Sequence, residues 1–289
     1  MKYHIKGLIL GIFVFLFGCQ VTQQQRESSF FSIQENNPTV LVFSKTAGFR
    51  HASIGPGIEM LQDEASSRSW DLDTTEDASV FTDAGLQNYD VVVFLSTTGD
   101  ILDTSQQEAF ERFIQAGGGF VGIHSATDTE YDWPWYEGLV GAYFQNHPPG
   151  TQTANIFVAD STHPSTEFLP LPWTFRDEWY NFQTNPAANN EISVLLWLDE
   201  SSYMGGTMGV QHPIAWYRNY DGGRSWYTAA GHRSELYTDP EHELFRRHIA
   251  EGIEWAATND NSTPLPTPSP TIDPSVTLTP NAFLPTLFR

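Results

Sequence analysis

Three consecutive glycines, Gly117, Gly118 and Gly119, end whatever helix precedes them. Phe120, Val121, Gly122 and Ile123 then read as a short strand buried on both faces. Polar chemistry begins abruptly at His124. Ser125, Asp128, Glu130 and Asp132 follow, interleaved with Tyr131, Trp133, Trp135 and Tyr136. Open α/β sheets place their ligands where a buried parallel strand gives way to such a loop. A core strand followed by a well-packed surface loop is the bland alternative. The crowding of an imidazole, carboxylates and large aromatics into one stretch favours a ligand pocket.

The flanking sequence extends the pattern. Residues 40–43, 72–75 and 91–95 read as strands, and residues 56–68 as a helix with Ile58, Leu61 and Ala65 on one face. Asp103, Thr104 and Ser105 are candidate N-caps of the next helix, and Ser105 with Glu108 has capping-box spacing. That helix buries Phe110, Phe113 and Ile114 and stops at Gly117. Strand–helix alternation through Ile123 implies a parallel sheet covered by helices on both faces. Beyond Tyr136 short strands (154–158, 194–198, 214–217, 226–229) alternate with turn-rich loops, and Asp221-Gly222-Gly223 signals a hairpin. Asp239-Pro240 opens a last helix with Leu244, Phe245, Ile249 and Ile253 facing the core.

Composition separates this domain, residues 38–258, from its two ends. With 40% hydrophobic and 14% aromatic residues among 289, a substantial core is available. Lys2 and Lys6 precede an apolar run, residues 8–17, that is short for a membrane span and right for a signal segment. It ends Leu16-Phe17-Gly18-Cys19, which resembles a bacterial lipobox except at Phe17. Residues 1–18 are therefore expected to be a lipoprotein signal peptide, and Cys19 the lipidated mature N-terminus. Residues 19–37 are expected to be a polar tether, and the protein to be extracytoplasmic, bound to the cell membrane by lipid alone. Residues 259–289, rich in Pro, Thr and Ser, are expected to be a disordered tail. A formal charge of −21 argues against nucleic acid or an anionic membrane surface as partner. Cys19 is also the only cysteine, which excludes an intrachain disulfide, a cysteine-rich zinc site and a thiol nucleophile in the domain.

The segment Gly122-Ile123-His124-Ser125-Ala126 looks like the strand-to-helix elbow of class I glutamine amidotransferases, with His124 in the place of their cysteine. Gly231-His232-Arg233-Ser234-Glu235 is similar to their histidine-then-glutamate element. A closer resemblance, over roughly residues 40–257, is to the ThuA-like (trehalose utilisation) family. It rests on Gly48-Phe49-Arg50-His51, the opening stretch, His147-Pro148, Asp177-Glu178-Trp179-Tyr180 and His212-Pro213-Ile214-Ala215-Trp216. Gly223-Arg224-Ser225-Trp226-Tyr227, Gly231-His232 and Gly252-Ile253-Glu254-Trp255 continue it. The resemblance implies a flavodoxin-like, class I glutamine amidotransferase-like three-layer sandwich with a mostly parallel central sheet. It also implies a role in carbohydrate metabolism, but supplies no catalytic residue to carry over.

The site must therefore come from residue chemistry. His51, His124, His147, His212 and His232 all fall in loops or at strand ends. His124 and His232 each follow a strand on the ligand side of such a sheet, so they are the expected metal ligands. Asp128 or Glu178, or a third imidazole from His51, would complete a set suited to a divalent ion such as zinc. His124, Asp128, Glu178 and His232 are the candidate catalytic residues. Arg50, His51, Glu130, Trp133, Trp179, Tyr180 and Arg224 are candidates for binding substrate, the aromatics by stacking on a sugar ring. The expected function is that of a surface-anchored, metal-assisted sugar hydrolase or isomerase without a cysteine nucleophile. A non-catalytic sugar-binding lipoprotein on the same fold is the alternative.

Overall fold

The computed structural model describes Met1 and residues 37–258. The expected signal peptide beyond Met1, Cys19, the tether through residue 36 and the tail from residue 259 lie outside the described residues. No described helix is long and apolar enough to cross a membrane.

Five strands build the parallel half: β1 (Thr39–Phe43), β2 (Asp71–Thr75), β3 (Val91–Leu95), β4 (Gly119–Ile123) and, far along the chain, β11 (Gly223–Thr228). Between them run α1 (Ile54–Arg68), α2 (Asp83–Leu86) and α3 (Thr104–Gln115). After β4 come α4 (Pro134–Val140), β5 (Phe144–Asn146), β6 (Gln152–Val158), β7 (Trp173–Asp177) and β8 (Asn181–Phe182). Next follow β9 (Ser193–Leu198) and β10 (Pro213–Tyr220), and after β11 come α5 (Glu235–Thr238) and α6 (Glu243–Ala257).

The nine-stranded sheet has the order β2-β1-β3-β4-β11-β10-β9-β6-β7. Its first five positions have the flavodoxin-like order, with β11 as the fifth strand. From β11 to β7 every pairing is antiparallel. β5 and β8 pair in a separate two-stranded ribbon.

The central strands are buried along their whole length because both faces are covered. On one face Phe94 and Phe120 meet Phe110 of α3 and Tyr136 of α4. On the other, α6 lies close over β11: a Cβ on Gly252 would come within 2.5 Å of the Trp226 ring. The β10–β11 hairpin forms at the signalled turn, with Asp221 at φ 47° and Gly222 at φ 100°, both values that a tight hairpin turn requires.

Candidate metal centre

β4 ends at Ile123, and His124 adopts φ 52°, an uncommon conformation for a side chain of this size. The strained turn aims the imidazole across the carboxyl edge of the sheet, as the elbow reading requires. In register beside it, Thr228 pairs with Ile123, so β11 delivers its own continuation to the same edge. Gly231 then turns at φ 134°, where a Cβ would approach the Tyr237 hydroxyl to 2.5 Å. Buried Asp177, at the end of β7, grips that turn by accepting from the backbone N–H groups of Gly231 (2.7 Å), His232 (3.4 Å) and Arg233 (3.2 Å). Glu178 follows directly. His51 comes from the loop after β1.

These loops bring His51, His124, Glu178 and His232 together, with one ligand atom of each inside a common span of 4.8 Å. His124 Nε2 lies 3.2 Å from His51 Nε2 and 3.6 Å from Glu178 Oε2. His232 Nδ1 is 3.1 Å from the same carboxylate oxygen, yet makes no hydrogen bond in that geometry and is buried. The outward nitrogens of His124 and His51 are anchored. His124 Nδ1 is 2.8 Å from the carbonyl of Ala229, which only accepts, so Nδ1 carries a proton and, in the neutral ring that a metal would bind, Nε2 presents the lone pair. His51 Nδ1 is 3.3 Å from the Ser125 hydroxyl. His147 Nδ1 sits 3.1 Å from Glu178 Oε1, the oxygen turned away from the other imidazoles.

Electrostatics fit this donor set. Burial, together with the His124 and His232 imidazoles, pushes His51 down to about 3, so its ring is neutral. Burial works to raise the Glu178 carboxyl, but His124 and His232 outweigh it and hold the group well below the usual carboxylate range. Glu178 in turn raises His232 against the effect of burial. A neutral His51 imidazole beside an ionised Glu178 carboxylate supplies donors that zinc and similar ions bind, and an ion there would displace the proton that Glu178 favours on His232. Two donors about 2.0–2.1 Å from one tetrahedral ion stand about 3.3 Å apart, close to the observed nitrogen separation. The buried His232 nitrogen beside Glu178 and the second-layer contacts of His51 and His124 complete the fit. A second grouping among the described residues, Asp239, Glu241 and His242, has one imidazole and lies at the solvent-facing start of α6.

The remaining sequence candidates divide. Asp128 stands at the rim, where burial raises its carboxyl although it accepts from the Tyr131 hydroxyl at 2.7 Å. Tyr180 is buried against the cluster, its hydroxyl 3.0 Å from His124 Nε2 and its ring 4.4 Å from the His124 ring. Arg50 points to the surface, where it pairs with Glu76 at 2.6 Å. Four assignments need correction on structural grounds. Glu130 is buried and accepts from the backbone N–H groups of Ile101 and Leu102 and from Gln107, so it braces the start of α3. Trp133 and Trp179 are core residues, at 7% and 1% exposure, and offer no face to a sugar. Arg224 pairs with Gly119 at the amino edge of the parallel strands, opposite the site, and lies over Trp255.

Sequence reasoning missed Phe49, which is 66% exposed with its ring 4.8 Å from that of His51. Its place beside His51 was the available signal. His212 is a strut rather than a ligand, joining Glu200 Oε1 (2.9 Å) to the Tyr180 carbonyl (2.8 Å).

Among solved structures, a ThuA-like protein from Bacteroides uniformis is 25% identical, with a TM-score of 0.65, over 78% of this chain and 95% of its own. Another, from Parabacteroides merdae, is 20% identical, with a TM-score of 0.61, over 80% and 93% respectively. No curated protein is significantly similar. The family described as trehalose utilisation matches residues 39–256, almost the whole described domain. This chain belongs to the ThuA family.

Proposed function

We propose that this protein is a metal-dependent enzyme of carbohydrate metabolism, acting on a sugar or an oxidised sugar at the carboxyl edge of its sheet. The convergence of three imidazoles and one carboxylate, drawn from four separate loops, carries the reading. The family's description, trehalose utilisation, supplies the substrate class. His51, His124, Glu178 and His232 would hold the ion. A divalent ion bound there would polarise a substrate hydroxyl or carbonyl. Asp128, whose carboxyl burial raises, would hold or move a proton at the rim. Phe49 would present an apolar face to the substrate beside His51. The cluster contains no sulfur, so the reaction proceeds without a thiol nucleophile.

The test is to load purified protein with zinc, manganese or iron and incubate it with trehalose and with oxidised disaccharides. Product that appears with metal and disappears with chelator is expected. Sugar binding without turnover in every metal form would overturn catalysis and leave a sugar-binding protein.

We further propose that lipid on Cys19 holds the protein at the membrane, the motif Leu16-Phe17-Gly18-Cys19 being the support. Cys19→Ser should move the protein from the membrane to the soluble fraction. A wild type already found in the soluble fraction of its own host would overturn the anchor.

A further inference from the structure

Tyr180 is fixed at both ends. Its backbone carbonyl accepts from His212 Nε2, and its ring is packed between the neighbourhoods of His124 and Phe144, with ring centres 4.4 and 4.3 Å away. Its hydroxyl points into the cluster and meets His124 Nε2 at 3.0 Å. Since His124 Nδ1 keeps its proton on the Ala229 carbonyl, in the neutral ring the Tyr180 hydroxyl is the donor in this contact and the Nε2 lone pair the acceptor.

That lone pair is the one a cation in the cluster would use. Once it is taken, the hydroxyl loses its acceptor, and a buried O–H without a partner is costly. The phenol ring is held by its packing against His124 and Phe144, so it does not swing out to water. The acceptor left to it is an oxygen entering the cluster from outside. We propose that Tyr180 is a catalytic hydrogen-bond donor, releasing His124 when the ion binds and donating to the substrate oxygen that the ion attracts. The role rests on the metal-centre reading above. It goes beyond stacking, the part the sequence suggested for Tyr180. A donor aimed at the oxygen on which charge develops is a major source of transition-state stabilisation.

The experiment uses the full chain, cobalt(II) as the metal and acetohydroxamate as an oxygen-donor probe, followed through the visible bands of cobalt. Tyr180→Phe keeps the ring and removes only the hydroxyl. It should bind cobalt like wild type and melt at a similar temperature, while its affinity for acetohydroxamate falls about tenfold or more, the scale of a hydrogen bond to a charged group. Equal affinity in variant and wild type would overturn the role of Tyr180 and leave the metal centre standing. Wild type that takes up no cobalt would instead remove the metal centre, and the role with it. If Tyr180→Phe fails to fold, 3-fluorotyrosine at position 180 decides the matter. Its stronger donor should tighten acetohydroxamate binding, and unchanged binding would overturn the proposal.

Discussion

His163 and His248 are buried outside the cluster, and each has an Nε2 with no hydrogen-bond partner. His163 bonds the Ser165 hydroxyl and packs on Tyr217 and Trp255. His248 bonds the Ser165 carbonyl and packs on Trp226 and Trp173. Burial lowers His163 to about 3, Asp160 opposing it and His248 and Arg224 adding to it. Burial lowers His248 to about 4, its bond to Ser165 opposing. Both rings are therefore neutral in the fold at pH values where an unfolded histidine is protonated. Stability should rise with pH from about 4 to 6.5 and be lost as pH falls through that window, by about 1.4 kcal/mol per pH unit for each ring. Urea unfolding at several pH values checks this. His248→Gln should flatten the slope by one ring's share, and an unchanged slope would contradict the assignment. The same burial limits what single residues disclose in the sequence. His124 and His232 were legible because each follows a strand, and His51 and Glu178 because they lie in blocks that resemble the family. Trp133 and Trp179 looked like stacking surfaces because composition does not distinguish a ring facing a cleft from one facing the core.

At the scale of elements, the chain's punctuation was largely readable. The glycine stop after α3, the β4 elbow and the Asp221-Gly222 hairpin all formed where local chemistry placed them. The cap of α3 differs in detail. Asp103, not Ser105, is the N-cap, and its side chain accepts from Gln106 N while the Gln106 side chain accepts from Asp103 N. Ser105 donates to the Asp103 carboxylate. Asp103→Ala should therefore lower the denaturation midpoint measurably, and Glu108→Gln hardly move it. The reverse ranking in denaturant titrations would restore the Ser105–Glu108 box. β7 escaped notice because its alternating Thr174 and Arg176 face outward at the sheet edge and interrupt the apolar run. Yet β7 supplies Asp177 and leads directly into Glu178, so an unremarkable edge strand brings the only carboxylate of the cluster.

For the molecule as a whole, the fold performs the step that spacing alone could not. His51 and His232 are separated by most of the domain sequence, and their rings lie 5.3 Å apart, because β1, β4 and β11 run parallel and finish at one edge. The antiparallel half then closes that edge from the side with Glu178 and Tyr180. Strand–helix alternation and family blocks were visible in the sequence; convergence was not, since it depends on which strand lies next to which. The acidic surface suits a cation partner and raises its local concentration. Elemental analysis of the purified protein after growth with zinc, manganese and iron, beside His124→Ala and His232→Ala, tests the metal centre most directly. About one ion per wild-type chain is expected, with near-complete loss in both variants and little change in folding. A wild type free of metal, or variants that keep their full complement, would contradict it.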